Sequence, residues 1–204
     1  MFDAKLRPLI DPPLDYVGRR LAMCGIGANS LTLFGIVSGL AAGIAVGLEE
    51  YLCGLALLLI NRVMDGLDGA VARASGITDF GGYLDIVGDF VFYVCIPVGF
   101  GIASPENLLP ALFLVASFAL TGVSFLAYAA LASKRGLTTE LHGKKSFLYN
   151  TGLAEGAETI AAFALMCVFP EGFGIIAVIF TGLCLLTVIQ RSLKARRTFP
   201  SDRP

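Results

Sequence analysis

The stretch that decides both the fold and the site runs from residue 61 to residue 89 and reads NRVMDGLDGAVARASGITDFGGYLDIVGD. Four of its five aspartates form two pairs: Asp65 and Asp68 are three residues apart, and Asp85 and Asp89 are four residues apart. On a helix, either spacing puts both carboxylates of a pair on one face. The connection between the pairs is short and rich in glycine. The stretch therefore predicts a helical hairpin that brings four carboxylates together.

The apolar residues of the chain are gathered in long blocks. Of 204 residues, 56% are hydrophobic and 15% are charged, a balance unlike that of soluble domains. Each block is long enough to cross a hydrocarbon core of about 30 Å as a helix. The blocks cover residues 30–48, 51–74, 83–103, 107–132, 152–169 and 171–190. They predict an all-α integral membrane protein with six transmembrane helices, forming one domain over residues 1–204.

The charged residues predict an orientation for these spans. If the N-terminus lies in the cytoplasm and the six spans alternate, all 15 Lys and Arg residues fall on the cytoplasmic side. The opposite loops then carry only the acids Glu49, Glu50, Glu106 and Glu171. This is the positive-inside pattern. It predicts a multi-pass protein of the cell (inner) membrane, with both termini and the aspartates on the cytoplasmic side.

The N-terminal segment is expected to lie on the inner leaflet. It contains Asp3, Asp11 and Pro12-Pro13, with no uninterrupted apolar run before residue 21, so it is not expected to be a cleaved signal. After the prolines, apolar residues at positions 14, 17 and 21 oppose Arg19 and Arg20. That pattern is typical of a juxtamembrane amphipathic helix, although an ordinary surface helix fits it equally well.

Four carboxylates at a membrane boundary require a counter-charge. Each costs several kcal/mol to desolvate, and the carboxylates repel one another. Oxygen ligands in this number suit a hard dication such as Mg²⁺, Mn²⁺ or Ca²⁺. Arg73, beyond the first pair, either neutralises a phosphate oxygen or anchors the helix at the membrane surface. Metal, arginine and carboxylates together favour a displacement reaction at phosphorus.

The order of these residues resembles the signature of the CDP-alcohol phosphatidyltransferases. The first half reads Asp65-x-x-Asp68-Gly69-x-x-Ala72-Arg73, and the second half reads Gly81-x-x-x-Asp85-x-x-x-Asp89. All eight signature positions match in residue type. The spacer from Arg73 to Gly81 has seven residues, one fewer than in many members, which bears only on the local loop geometry.

The resemblance implies a reaction and a role for each signature residue. A CDP-alcohol, typically CDP-diacylglycerol, is attacked at its β-phosphorus by an alcohol hydroxyl, and CMP is released. Asp65, Asp68 and Asp85 would bind divalent metal, Mg²⁺ or Mn²⁺ and two ions, while Asp89 would be both a ligand and the catalytic base. Residues expected at the nucleotide and its diphosphate are Gly69, Ala72, Arg73, Thr78, Gly81, Asn29 and Thr32. The resemblance also implies a homodimer.

The acceptor alcohol is less well specified by the sequence. Glu155 and Glu158 are expected on one helical face near the start of the fifth span. They would bind a polyol or an amine, or instead pair with basic residues such as Arg191. Lys144 and Lys145 would clamp a phosphorylated acceptor, or simply face anionic lipid. The acceptor is thus a polyol, a polyol phosphate or an amino alcohol.

Two other function classes also use carboxylates in membranes. A prenyltransferase binds diphosphate through aspartates and Mg²⁺, but the Gly-x-x-Ala-Arg segment would then have no explanation. A cation transporter would be expected to hold its acids near the bilayer midplane, whereas these aspartates lie at the predicted cytoplasmic boundary. The favoured hypothesis is the transferase, with CDP-diacylglycerol, a small alcohol and membrane lipid as partners and no nucleic acid.

Overall fold

The fold is all-helical in the computed structural model, which describes residues 3–136 and 152–199, with side chains from residue 8 onward. The helices are α1 (Asp3–Met23), α2 (Ala28–Gly47), α3 (Tyr51–Ser75), α4 (Asp79–Ala103), α5 (Leu108–Lys134), α6 (Gly156–Val168) and α7 (Phe173–Thr198). Short 3₁₀ turns, Pro105–Asn107 and Pro170–Gly172, precede α5 and α7. The described residues contain no strand, which confirms the predicted all-α class.

Four helices are long and apolar enough to cross a membrane: α2, α4, and α5 and α7 with their preceding turns. Helix α3 has 25 residues but carries four charged residues, Arg62, Asp65, Asp68 and Arg73. Helix α6 has 13 residues, which at 1.5 Å per residue give about 20 Å, short of a hydrocarbon core of about 30 Å. Within the described ranges, four helices thus meet the length and hydropathy expected of spans, and the count of six stays a prediction.

Two helices begin away from the predicted span boundaries. Helix α4 begins at Asp79 and not at residue 83, because the Thr78 hydroxyl accepts the N–H of Gly81 at 3.1 Å and caps the helix. Helix α6 begins at residue 156 and not at residue 152. Before it, the Thr187 hydroxyl accepts the N–H groups of residues 153 and 154, each at 3.0 Å. These bonds hold that segment outside the helix.

Helices α2 and α4 cross in direct backbone contact, and glycine makes that contact possible. A Cβ on Gly43 would lie 2.7 Å from the carbonyl oxygen of Cys95. Across the same contact, Gly99 packs on the carbonyl oxygen of Gly43, where a Cβ would overlap it. Small residues that let helix backbones approach are a common packing device in membranes. The crossing fixes the position of α4 relative to α2.

Aromatic residues join α4 to α5, α6 and α7. Phe92 of α4 contacts Phe163 of α6 with ring centroids 5.5 Å apart, and Phe163 contacts Phe118 of α5 at 5.8 Å. Phe180 of α7 lies 6.0 Å from Phe118. Edge-to-face and tilted contacts of this kind add stability beyond area burial. This cluster begins one turn after Asp89, so it holds the part of α4 that carries the second aspartate pair.

Helix α1 packs along α3 and begins before its prolines, not after them as predicted. A Cβ on Gly18 would lie 2.6 Å from the Cβ of Ala70, and one on Gly66 would lie 2.8 Å from Leu14 Cδ1. The side of α1 that meets α3 therefore includes Leu14 and Gly18. Val17, expected on the apolar face, is exposed.

Candidate active site

The two aspartate pairs meet where the C-terminal half of α3 faces the N-terminal half of α4. One carboxylate oxygen each from Asp65, Asp85 and Asp89 lies within 4.8 Å of the others. Asp68 lies one turn further along α3, is 5% exposed, and accepts a hydrogen bond from the Thr32 hydroxyl at 2.6 Å. That length is typical of a hydroxyl bound to a charged carboxylate. Helices α2, α3 and α4 thus all contribute to one site.

These side chains line a cleft that is open to solvent, which we call the aspartate cleft. Its lining residues are Thr32, Gly35, Ile36, Asn61, Arg62, Asp65, Asp68, Asp85, Gly88 and Asp89. The four carboxylates and one guanidinium leave three negative charges in excess when all are ionised. Two ionised carboxylate oxygens within 4.8 Å of each other repel by at least about 3 kcal/mol at an effective dielectric constant of about 20. A dication among these oxygens would remove that repulsion, and oxygen is the ligand that Mg²⁺ and Mn²⁺ prefer.

Arg62 is a residue of the aspartate cleft that the sequence did not single out. Its Nη1 donates to Asp89 Oδ1 at 2.9 Å and lies 3.7 Å from Asp65 Oδ2. Its Nε donates to Asn61 Oδ1 at 2.6 Å, and its Cζ lies 4.2 Å from the centroid of the Phe92 ring. In the sequence it was one of 15 basic residues assigned to the cytoplasmic side. Its position three residues before Asp65 was the only available signal of a role in the cleft.

Three of the residues expected at the nucleotide come together at the N-terminal ends of α2 and α4. A Cβ on Gly81 would lie 3.0 Å from the Thr78 hydroxyl oxygen and 3.1 Å from Asn29 Oδ1. Asn29, Thr78 and Gly81 are therefore neighbours, although almost fifty residues separate the first two in sequence. Any residue larger than glycine at position 81 would crowd both polar groups. Thr32, also expected there, points instead into the aspartate cleft.

The other nucleotide candidates lie at the C-terminal end of α3. A Cβ on Gly69 would lie 3.4 Å from Arg73 Nη1, so the arginine side chain runs back over the glycine. Ala72 is half-buried beside it. Arg73 Nε and Nη2 both donate to Asp15 Oδ1 of α1, at 3.1 Å and 2.6 Å. An acidic residue of the N-terminal helix thus holds the guanidinium that was expected at the diphosphate.

The acceptor candidates are only partly described. Lys144 and Lys145 lie outside the described residues. Glu155 is the N-cap of α6 with an extended backbone, and Glu158 lies in the first turn, so Glu155 lies just before the helix and not inside it as expected. The cause is the pairing of the preceding backbone with Thr187. The Glu155 carboxylate is close enough to Arg191 for their charges to interact.

Comparison with known proteins agrees with the signature. The family model for CDP-alcohol phosphatidyltransferase matches residues 26–189. The inner membrane protein YnjF of Escherichia coli K12 is 46% identical over 192 residues, covering 94% of this chain and 93% of YnjF. An archaetidylinositol phosphate synthase from Methanothermobacter thermautotrophicus is 28% identical over 195 residues, covering 93% of this chain and 91% of that protein.

A solved structure shows the same fold. The phosphatidylinositol phosphate synthase PgsA1 of Mycobacterium tuberculosis, with CDP-DAG bound, has a TM-score of 0.73 at 19% identity, covering 94% of this chain and 98% of that one. A second structure of PgsA1, in complex with manganese and citrate, has a TM-score of 0.70 at 20% identity, covering 94% and 93%. The family match favours the transferase hypothesis over the prenyltransferase and transporter alternatives. This chain is a membrane protein of the CDP-alcohol phosphatidyltransferase family.

Proposed function

We propose that this protein transfers the phosphatidyl group of CDP-diacylglycerol to the hydroxyl of a small alcohol, releasing CMP, in phospholipid biosynthesis. The observation that carries the proposal is the meeting of Asp65, Asp85 and Asp89 within 4.8 Å in a cleft that Asp68 also lines. These are the signature aspartates of the family to which the chain belongs. No other cluster of three potential metal ligands at that separation occurs among the described residues.

The donor set of the cleft suits two Mg²⁺ or Mn²⁺ ions held by Asp65, Asp68, Asp85 and Asp89. Every one of these side chains offers only carboxylate oxygens, and such a set favours hard dications. When bound, the ions supply positive charge that neutralises the diphosphate and the charge developing in phosphoryl transfer. The manganese complex of PgsA1 supports a metal in this fold.

Asp89 has the contacts expected of a proton acceptor. Arg62 binds its Oδ1 at 2.9 Å, which orients the carboxylate that would act as the general base. In the proposed step, the acceptor oxygen forms a bond to the β-phosphorus and its proton passes to Asp89. The bond from the β-phosphorus to the bridging oxygen breaks, and that oxygen leaves as part of CMP. Atoms and charge balance without any further reactant.

The remaining signature residues are assigned to the donor. Asn29, Thr78 and Gly81 form a polar group at the ends of α2 and α4 that would contact the nucleotide, and the glycine lets the two side-chain oxygens lie close to the backbone. Gly69, Ala72 and Arg73 line the end of α3, where Arg73 would bind the diphosphate. Thr32 would affect CDP-diacylglycerol binding indirectly, through its hydrogen bond to Asp68.

Topology and assembly follow the same proposal. The six proposed spans are the four membrane-capable helices, α3, and α6 together with residues 152–155 that precede it. They form one domain, with the aspartate cleft, both termini and α1 on the cytoplasmic side, where a soluble alcohol is found. Helix α1 would lie at the membrane surface. Two copies of the chain would form a homodimer. Glu155, Glu158, Lys144 and Lys145 are the proposed acceptor-side residues.

An assay of CMP release tests the proposal. Purified protein in lipid nanodiscs would receive CDP-diacylglycerol labelled in the cytidine, Mn²⁺ or Mg²⁺, and one alcohol from a panel. The panel contains polyols, polyol phosphates and amino alcohols. We expect CMP release with at least one class, and none without dication. Absence of CMP with every acceptor, combined with cation movement across liposomes by the same protein, would instead support a transporter.

A further inference from the structure

Arg62 differs from the other cations around the site in how firmly it is held. Its side chain is 12% exposed, against 39% for Arg73. The guanidinium is fixed on three sides: Nε by Asn61, Nη1 by Asp89, and one face by the ring of Phe92. A guanidinium removed from water needs such partners, because its desolvation costs several kcal/mol.

The supports of Arg62 come from all three helices of the cleft. Asn61 accepts from Arg62 and donates through Nδ2 to the carbonyl oxygen of Gly35 on α2 at 2.7 Å. Asp89 and Phe92 lie three residues apart on α4 and so share a face. The Arg62 guanidinium is thereby set against one oxygen of Asp89, and the two cannot rotate independently. It also faces Asp65 Oδ2 at 3.7 Å, so it lies beside two of the three clustered carboxylates.

We propose that Arg62 is a positioning residue for Asp89 and, at the same time, a permanent positive charge that competes with divalent metal for the carboxylates of the cleft. This inference rests on the proposed function. By binding Oδ1, Arg62 leaves Oδ2 as the atom that receives the acceptor proton. Because a guanidinium does not lose its charge in proteins, Arg62 also lowers the affinity of the aspartate cleft for cations.

The two roles predict effects of opposite sign when the charge is removed. Without Arg62, the carboxylates repel one another with less compensation, so the cleft binds a dication more tightly. The same change releases Asp89 from its fixed orientation, so turnover slows even with metal saturating. General loosening of the fold would instead weaken metal binding and turnover together. The sign of the change in metal affinity therefore separates a specific role from a structural one.

The test compares Arg62→Gln, Arg62→Lys and the matched control Arg20→Gln, which removes an exposed cation from α1. Mn²⁺ binding is measured by electron paramagnetic resonance of the free ion without lipid substrate, and kcat and KM are measured by CMP release. For Arg62→Gln we expect Mn²⁺ affinity to rise about tenfold and kcat to fall about 100-fold. Arg62→Lys keeps the charge but replaces the planar guanidinium, whose Nε and Nη1 bind Asn61 and Asp89, by a single ammonium. For this variant we expect unchanged Mn²⁺ affinity and a kcat about tenfold lower.

Several outcomes would overturn the inference. Unchanged or weaker Mn²⁺ affinity in folded Arg62→Gln would contradict the proposal that Arg62 competes with the metal. A kcat within twofold of the parent would contradict the positioning role. If Arg62→Gln does not fold, Arg62→Lys decides: a kcat equal to that of the parent contradicts positioning. Failure of the parent protein to release CMP, despite binding Mn²⁺, would count against the proposed function. The change in Mn²⁺ affinity in Arg62→Gln would still test whether Arg62 competes with the metal.

Discussion

Replacing Thr32 by valine removes one hydrogen-bond donor from the aspartate cleft at nearly constant volume. The Thr32 hydroxyl donates to Asp68 at 2.6 Å, and Asp68 is 5% exposed, so water cannot readily replace the lost donor. A hydrogen bond to a charged group contributes about 1.5–3 kcal/mol, and leaving a buried charge with one partner fewer adds to the loss. We therefore expect the metal-free Thr32→Val protein to lose about 2 kcal/mol of unfolding free energy.

Denaturant unfolding of the protein in mixed micelles with a chelator measures this loss. Thr32→Ser is the matched control, because it keeps the hydroxyl and removes only a methyl group. We expect the serine variant to lose less than about 1 kcal/mol. Saturating Mn²⁺ should reduce the difference in unfolding free energy between Thr32→Val and Thr32→Ser, since an ion beside Asp68 would compensate the charge of that carboxylate. Equal stability of Thr32→Val and Thr32→Ser without metal would refute the reasoning that this bond supports the buried aspartate.

Three further predictions concern the base, the N-terminal helix and the helix crossing. Asp89→Asn should abolish CMP release while CDP-diacylglycerol binding persists; an equal loss of binding would argue against Asp89 as the base. Asp15→Asn should raise the KM for CDP-diacylglycerol by no more than about fivefold with kcat unchanged, because exposed ion pairs such as that with Arg73 contribute about 1 kcal/mol or less; a large fall in kcat would contradict this. Gly99→Val should give little folded protein by size-exclusion chromatography, because its side chain would overlap the α2 backbone, whereas Gly182→Val, with open space around it, should fold normally.

The features of the site that could be predicted from the sequence are those that depend on the spacing of nearby residues. The i, i+3 and i, i+4 aspartate pairs face one another across a short hairpin, as expected. The family signature follows from the same residues, and the match over residues 26–189 confirms it. Long apolar blocks were enough to predict an all-helical fold, since helices satisfy their own backbone groups in lipid.

The missed features depend on contacts between distant segments. Arg62 meets Asp89 from a different helix, 27 residues away, and the bond from Asp15 to Arg73 spans 58 residues. No periodicity reports such pairs. The start of α6 was misjudged for the same reason, because Thr187 in α7 accepts the backbone N–H groups that an earlier helix start would have used.

The most direct test of the account is the dependence of CMP release on Mn²⁺ in Asp85→Asn compared with Asp79→Asn. Both substitutions remove one carboxylate from the first half of α4, but Asp85 lies in the aspartate cleft whereas Asp79 is exposed in the first turn. We expect no measurable CMP release by Asp85→Asn at any Mn²⁺ concentration, and release within about twofold of the parent by Asp79→Asn. CMP release by Asp85→Asn that equals that of Asp79→Asn would contradict it.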